Sequence, residues 1–119
     1  MIKRSQEMLK DRIEKLEDLL LDKNNELLVL ILEKAAEAVD DEDHTLKELL
    51  TDMLTTFPEL RKSRKLQDAA LSLVMMLAGR AIDTKTGTTI CRIDILNNMG
   101  EQVRDKARSI RASSSKFST

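Results

Sequence analysis

Apolar residues recur along most of this chain at spacings of three and four, the pattern of amphipathic helices. The first such segment covers residues 5–22, and Lys23 interrupts its pattern at a d position. Its apolar stripe occupies the a and d positions of a heptad and consists of Ile2, Leu9, Ile13, Leu16 and Leu20. This stripe predicts either an amphipathic helix inside a bundle or an intermolecular coiled coil, and periodicity alone does not separate the two.

The second segment contains an apolar stretch without a polar face. Residues 26–32 read ELLVLIL, one glutamate followed by six apolar residues. We expect either a helix from Asn24 or Asn25 to Val39, or one long helix that continues from the first segment. Residues 66–78 are expected to cover one side of the stretch, and a second copy of the chain another. The predicted oligomerisation interface consists of Leu9, Ile13, Leu16, Leu20, Leu27 and Leu30.

Capping and breaking residues predict the next two helices. Thr45 and Glu48 have the spacing of a capping box, which opens a helix that runs to about Thr55. Pro58 suits the first position of a new helix, and no breaker follows it until Gly79. The helix that begins at Pro58 is apolar on nearly every side over residues 66–78. Neighbouring helices must therefore shield it from water, as they must shield residues 27–32.

The C-terminal third combines a polar loop, a helix and a tail. Residues 84–89, TKTGTT, predict a loop or the tip of a hairpin, and a last helix is expected over 94–111. A helix-turn-helix with 84–89 as its turn and 90–96 as the start of a recognition helix is a weak match, because that turn is too long. The Ser-rich residues 112–119 are predicted to be disordered.

Together these elements predict an all-α fold, a small helical bundle of four to five helices. The N-terminal helix is amphipathic and coiled-coil-like, and the bundle is expected to be oligomeric. Residues 1–111 are expected to form a single helical domain. Within it, residues 1–39 hold the oligomerisation helices and residues 45–111 the helical core.

The composition indicates in which cellular compartment the protein is expected. The chain has 119 residues and one cysteine, Cys91, so an intramolecular disulfide is impossible and a reducing compartment is expected. The longest unbroken apolar run has six residues, far below the roughly 18 that a membrane span needs. We therefore expect a soluble, cytoplasmic protein without a membrane partner.

Residues that support catalysis or cofactor binding are scarce. Aromatic residues make up 2% of the chain, and His44 and Cys91 are the single residues of their types. One histidine and one cysteine do not furnish the usual four-ligand zinc set. Residues 84–89 lack the glycines of a phosphate-binding loop, and the acidic run 40–43 lacks the ligand pattern of a calcium loop. No catalytic residue, metal, cofactor or small-molecule substrate is expected.

Charge is divided unevenly along the chain. Residues 1–60 carry 8 Lys/Arg and 16 Asp/Glu, whereas residues 61–119 carry 12 Lys/Arg and 5 Asp/Glu. The candidate nucleic-acid contacts in the basic half are Arg61, Lys62, Arg64, Lys65, Arg104, Arg108 and Arg111. These cations are expected either to contact phosphates or to pair with residues 40–43 and with the acids of the first helix.

Two functions follow from these patterns. The first is a non-enzymatic helical protein–protein interaction module that self-associates, such as an adaptor, scaffold, chaperone or regulatory subunit. Its partners would be itself, as a homodimer or larger oligomer, and another protein. The alternative is a dimeric regulator that binds DNA or RNA through the basic C-terminal half.

Overall fold

The regular secondary structure of the described residues consists of α-helices. The computed structural model describes residues 2–40, 44–86 and 93–115, and the side chains of residues 7–40, 44–78 and 97–113. No strand occurs in these ranges, so the all-α class is confirmed. The helices are α1 (Ile2–Leu20), α2 (Asn25–Glu37), α3 (Leu46–Thr56), α4 (Glu59–Lys62), α5 (Arg64–Thr86) and α6 (Ile93–Ser115).

A tight turn separates α1 from α2, so the first forty residues form two helices rather than one. Asp22 has a φ of 65°, in the left-handed region where a short polar side chain is tolerated. Its backbone N–H donates to Oδ1 of Asn25 at 2.7 Å. Asn24 is the N-cap of α2, because its Oδ1 accepts from the N–H of Leu27 at 3.2 Å. The local sequence therefore ends one helix and begins the next.

Side-chain caps also define the starts of α3 and α5. Thr45 and Glu48 form the predicted capping box, in which each side chain accepts from the other residue's N–H, at 3.2 and 3.0 Å. Ser63 has extended backbone angles, and its Oγ accepts from the N–H of Leu66 at 3.3 Å. This cap divides the long helix predicted from Pro58 into α4 and α5, which is why six helices form in the described residues instead of four to five.

The C-terminal helices extend beyond their predicted limits. Helix α5 continues through Gly79 to Thr86, so residues 84–86 of the expected loop are helical, and residues 87–92 lie outside the described ranges. The proposed helix-turn-helix does not have the predicted placement, because its turn begins inside α5 and α6 starts at Ile93. Helix α6 includes residues 112–115 of the expected disordered tail, whereas residues 116–119 lie outside the described ranges.

The apolar stretch of α2 is covered within one chain. Helix α2 packs most extensively on α6 and also contacts α5 and α1. Five of its six consecutive apolar residues are buried, namely Leu27, Leu28, Val29, Ile31 and Leu32. Helix α5, which contains residues 66–78, is one of the contacting helices, and α6 has the larger contact with α2. These five side chains therefore need no second copy of the chain to leave water.

Small residues allow α2 and α6 to approach closely. Ala35 and Ala36 on α2 and Ala107 on α6 are all buried. A Cβ placed on Gly100 of α6 would lie 3.4 Å from the Cγ2 of Val39, just beyond α2, so the backbone there has little space to spare. A side chain larger than alanine at position 100 would therefore press against Val39.

Candidate interaction surface

The arginine stripe of α6 is occupied by carboxylates of the chain itself. Arg104 donates to Oδ2 of Asp40 at 2.6 Å and to Oε1 of Glu101 at 2.9 Å. These hydrogen bonds, first to Asp40 and then to Glu101, raise the pKa of the Arg104 guanidinium above its usual value. Arg104 therefore joins α6 to the turn that follows α2.

The other cations of α6 are paired as well. Arg108 contacts Asp105 and Glu101 on its own helix, and Arg111 donates to Oε1 of Glu33 at 3.0 Å. Lys106 lies 3.3 Å from Oε2 of Glu17 on α1. The expected pairing with the acidic half is thus found at Asp40 and on the first helix, whereas residues 41–43 lie outside the described ranges.

The basic cluster, defined as Arg61, Lys62, Arg64 and Lys65, has the opposite character. All four side chains are exposed, and none forms an ion pair with a residue in the described ranges. Arg64 and Lys65 also lie in the first turn of α5, where a positive charge opposes the helix macrodipole. Helix stability gives no reason for cations at these two positions.

The predicted oligomerisation residues divide between core and surface. Five of the six are buried by the chain's own helices, namely Leu9, Ile13, Leu16, Leu20 and Leu27. Helix α1 packs mainly on α5 and also contacts α2 and α6. Leu30 is 40% exposed. The predicted interface stays a prediction, and Leu30 is its one member on the surface.

Leu30 lies in a groove of about 570 Å³ between α2 and the segment that joins α3 to α4. We call it the acidic groove, because its lining carries four glutamates and a single lysine. Its lining residues are Asn24, Glu26, Leu27, Leu30, Glu33, Lys34, Glu37, Thr56, Phe57 and Glu59. Leu27 and Phe57 are almost fully buried, so Leu30 supplies most of the apolar surface that the groove offers to a ligand.

Three of the four glutamates in the groove have no cationic partner among the described residues. Glu33 pairs with Arg111, and Lys34 is held by Asp52 at 2.5 Å. Glu26, Glu37 and Glu59 form no ion pair with a residue that the structure describes. The groove is therefore an uncompensated negative surface around an exposed leucine.

The sequence contained a signal for this groove. Glu26, Leu30, Glu33 and Glu37 follow one another at spacings of four, three and four, which places them on one face of α2. Taken alone, the seven residues ELLVLIL show no polar face. Together with Glu33 and Glu37, which follow the stretch, Glu26 forms such a face on α2. Leu30 is the single apolar residue on that face.

A second groove, of about 580 Å³, lies between the end of α2 and α3. Both signs of charge line it, with Lys34 and Lys47 facing Glu37, Glu48 and Asp52. His44 is exposed at its edge. This balance of charges points to no particular ligand.

No group of three or more His, Cys, Asp or Glu side chains in the described residues is arranged to hold a metal ion. Cys91, the single cysteine, lies outside the described ranges. Among the described helices, none combines the length and the apolar character needed to cross a membrane.

Comparison of the chain with protein-family models, with curated proteins and with solved structures gave no match.

Proposed function

We propose that this chain is a non-enzymatic protein–protein interaction module whose contact surface is the acidic groove. The observation that carries the proposal is Leu30, an exposed leucine surrounded by glutamates on the outer face of α2. An apolar centre within a charged rim is the usual composition of a protein–protein contact. Adaptors, scaffolds and regulatory subunits all work through such surfaces.

The groove favours a partner segment that is both basic and amphipathic. Covering the exposed part of Leu30 would contribute about 1–2 kcal/mol, since it removes apolar surface from water. Cations of the partner would meet Glu26, Glu37 and Glu59, which have no partner among the described residues. A helix with leucines on one face and lysines beside them has this chemistry.

Reversing one charge in the groove tests this proposal. In Glu37→Lys, we expect binding of a labelled amphipathic leucine–lysine helical peptide to weaken about fivefold, because a surface attraction becomes a repulsion of similar size. Asp18→Lys is the matched control, since both residues are exposed acids near the C-terminal end of a helix and Asp18 lies outside the groove. Fluorescence anisotropy measures both affinities. If the peptide affinity fell equally in the two variants, the peptide would be attracted by the net charge of the protein and not by the groove.

The alternative function, binding of DNA or RNA, is favoured by one observation. The basic cluster is exposed and unpaired within the described residues, whereas the arginines of α6 are engaged with carboxylates. We expect any phosphate contact to use the cluster and not the α6 stripe.

A salt titration with labelled duplex DNA tests the alternative. Four phosphate contacts would lower the affinity on the order of a hundredfold between about 50 and 200 mM salt. Replacing all four cations of the cluster by glutamine should abolish that dependence. Arg104→Gln combined with Arg108→Gln should leave it nearly unchanged, because those side chains are already paired. The same titration is made with labelled duplex RNA, and a wild-type protein that binds neither nucleic acid even at low salt would eliminate this function.

A further inference from the structure

We propose that the basic cluster of a second copy of this chain occupies the acidic groove. Two copies would form a two-fold dimer in which each copy places its cluster over the groove of the other. This inference rests on the proposed function, because it identifies the partner of the same groove.

The first support is the match of unpaired charges. The groove has three glutamates without a described ion pair, Glu26, Glu37 and Glu59. The cluster has four cations in the same condition. Cations of α6 elsewhere in the described chain are compensated, as in the pairs of Arg104 with Asp40 and of Lys106 with Glu17. When the groove of one copy contacts the cluster of the other, the glutamates and the cations neutralise each other.

The second support is their arrangement along the chain. Glu59 opens α4 and lines the groove, and Arg61 follows two residues later on the same short helix. The groove and the cluster are therefore neighbours, yet no ion pair of 4.0 Å or less joins them within one chain. If a two-fold axis passes between the groove and the cluster, the groove of each copy faces the cluster of the other copy.

The third support is the position of the cluster on α5. Arg64 and Lys65 oppose the macrodipole in the first turn of this 23-residue helix. Carboxylates arriving from a second copy would compensate that repulsion. The aliphatic parts of arginine and lysine side chains can also cover Leu30 while their charged ends reach the glutamates.

Two charge-reversed variants test the dimer. The first reverses the cluster (Arg61→Glu, Arg64→Glu and Lys65→Glu), and the second reverses the groove (Glu26→Lys, Glu37→Lys and Glu59→Lys). Sedimentation equilibrium should show a wild-type dimer and, in each variant alone, at least about tenfold weaker dimerisation, because both contacts become repulsive. An equimolar mixture of the variants should form a heterodimer, since both contacts are again attractive. Circular dichroism confirms that each variant is folded, and Glu37→Lys alone replaces the triple groove variant if that variant unfolds.

The outcomes separate this inference from the proposed function. A monomeric wild-type protein that still binds the leucine–lysine peptide in its groove would overturn the dimer and leave the interaction module intact. A wild-type dimer whose variants stay dimeric, or whose mixture stays monomeric, would show that cluster and groove are not partners. A monomer that binds neither the peptide nor DNA would overturn both proposals. A monomer that binds DNA through the cluster would assign the cluster to nucleic acid and overturn the dimer.

Discussion

Leu28→Asp is expected to unfold this protein, whereas Leu30→Asp, two residues away, is expected to leave it folded. Leu28 has no exposed surface, and Leu30 is 40% exposed. Loss of a buried leucine costs about 2–5 kcal/mol, and the carboxylate that replaces it has no partner in an apolar core. Because a typical domain is stable by only about 5–15 kcal/mol, one such change can remove most of that margin. At position 30 the carboxylate stays in water.

Thermal unfolding followed by circular dichroism measures both effects. We expect Leu28→Asp to lose its cooperative transition and Leu30→Asp to melt within a few degrees of the wild-type protein. Leu30→Asp should also fail to bind the leucine–lysine peptide, because the substitution removes the apolar centre of the groove. Similar destabilisation by the two substitutions would mean that α2 does not face the core as described here.

The second large effect is expected at the contact between α2 and α6. Gly100→Leu should lower the free energy of unfolding by about 1–3 kcal/mol, because the added carbons must enter the space beside Val39. Gly100→Ala is the matched control. Its Cβ would meet the Cγ2 of Val39 at 3.4 Å, an ordinary contact, and alanine favours a helix interior over glycine by up to about 1 kcal/mol. We therefore expect the alanine variant to equal or exceed the wild-type protein in stability.

Urea denaturation gives the two free energies with one measurement each. Opposite signs for alanine and leucine would identify the close approach of the helices as the constraint at this position. Destabilisation by alanine as large as that by leucine would instead show that the glycine backbone itself is required. An unaffected leucine variant would show that the helices separate more easily than their packing implies.

The substitutions at Leu28 and Leu30 concern two sides of one helix, α2. The inner side of α2 packs on α6, α5 and α1, and its outer side forms a wall of the acidic groove. Arg104 and Arg111 of α6 hold the helix from Asp40 and Glu33. A ligand in the groove would therefore contact a helix whose position is already fixed by the core. Such a rigid wall suits a module that recognises a partner without rearranging.

The sequence by itself determined the elements whose information is local. The capping box of Thr45 and Glu48 acts over three residues, so its prediction holds in the structure. The stripe of α1 predicted a helix, and its leucines are buried as that periodicity requires. The apolar pattern does not predict the break between α4 and α5, because apolar residues continue on both sides of it. The local signal for the break is Ser63, an N-cap residue three positions before Leu66.

Tertiary structure alone decided which surfaces those helices cover. The ion pairs of Arg104 with Asp40 and of Arg111 with Glu33 join residues 64 and 78 positions apart, and no spacing rule reaches so far. The sequence left open whether α1 and α2 bury their apolar residues within one chain or between two. The choice depends on the summed contacts of α2 with α6, α5 and α1, which exist only after folding. Once those contacts cover five of six apolar residues, Leu30 remains as the exposed centre of the groove, because a helix face turned away from the core has no other cover.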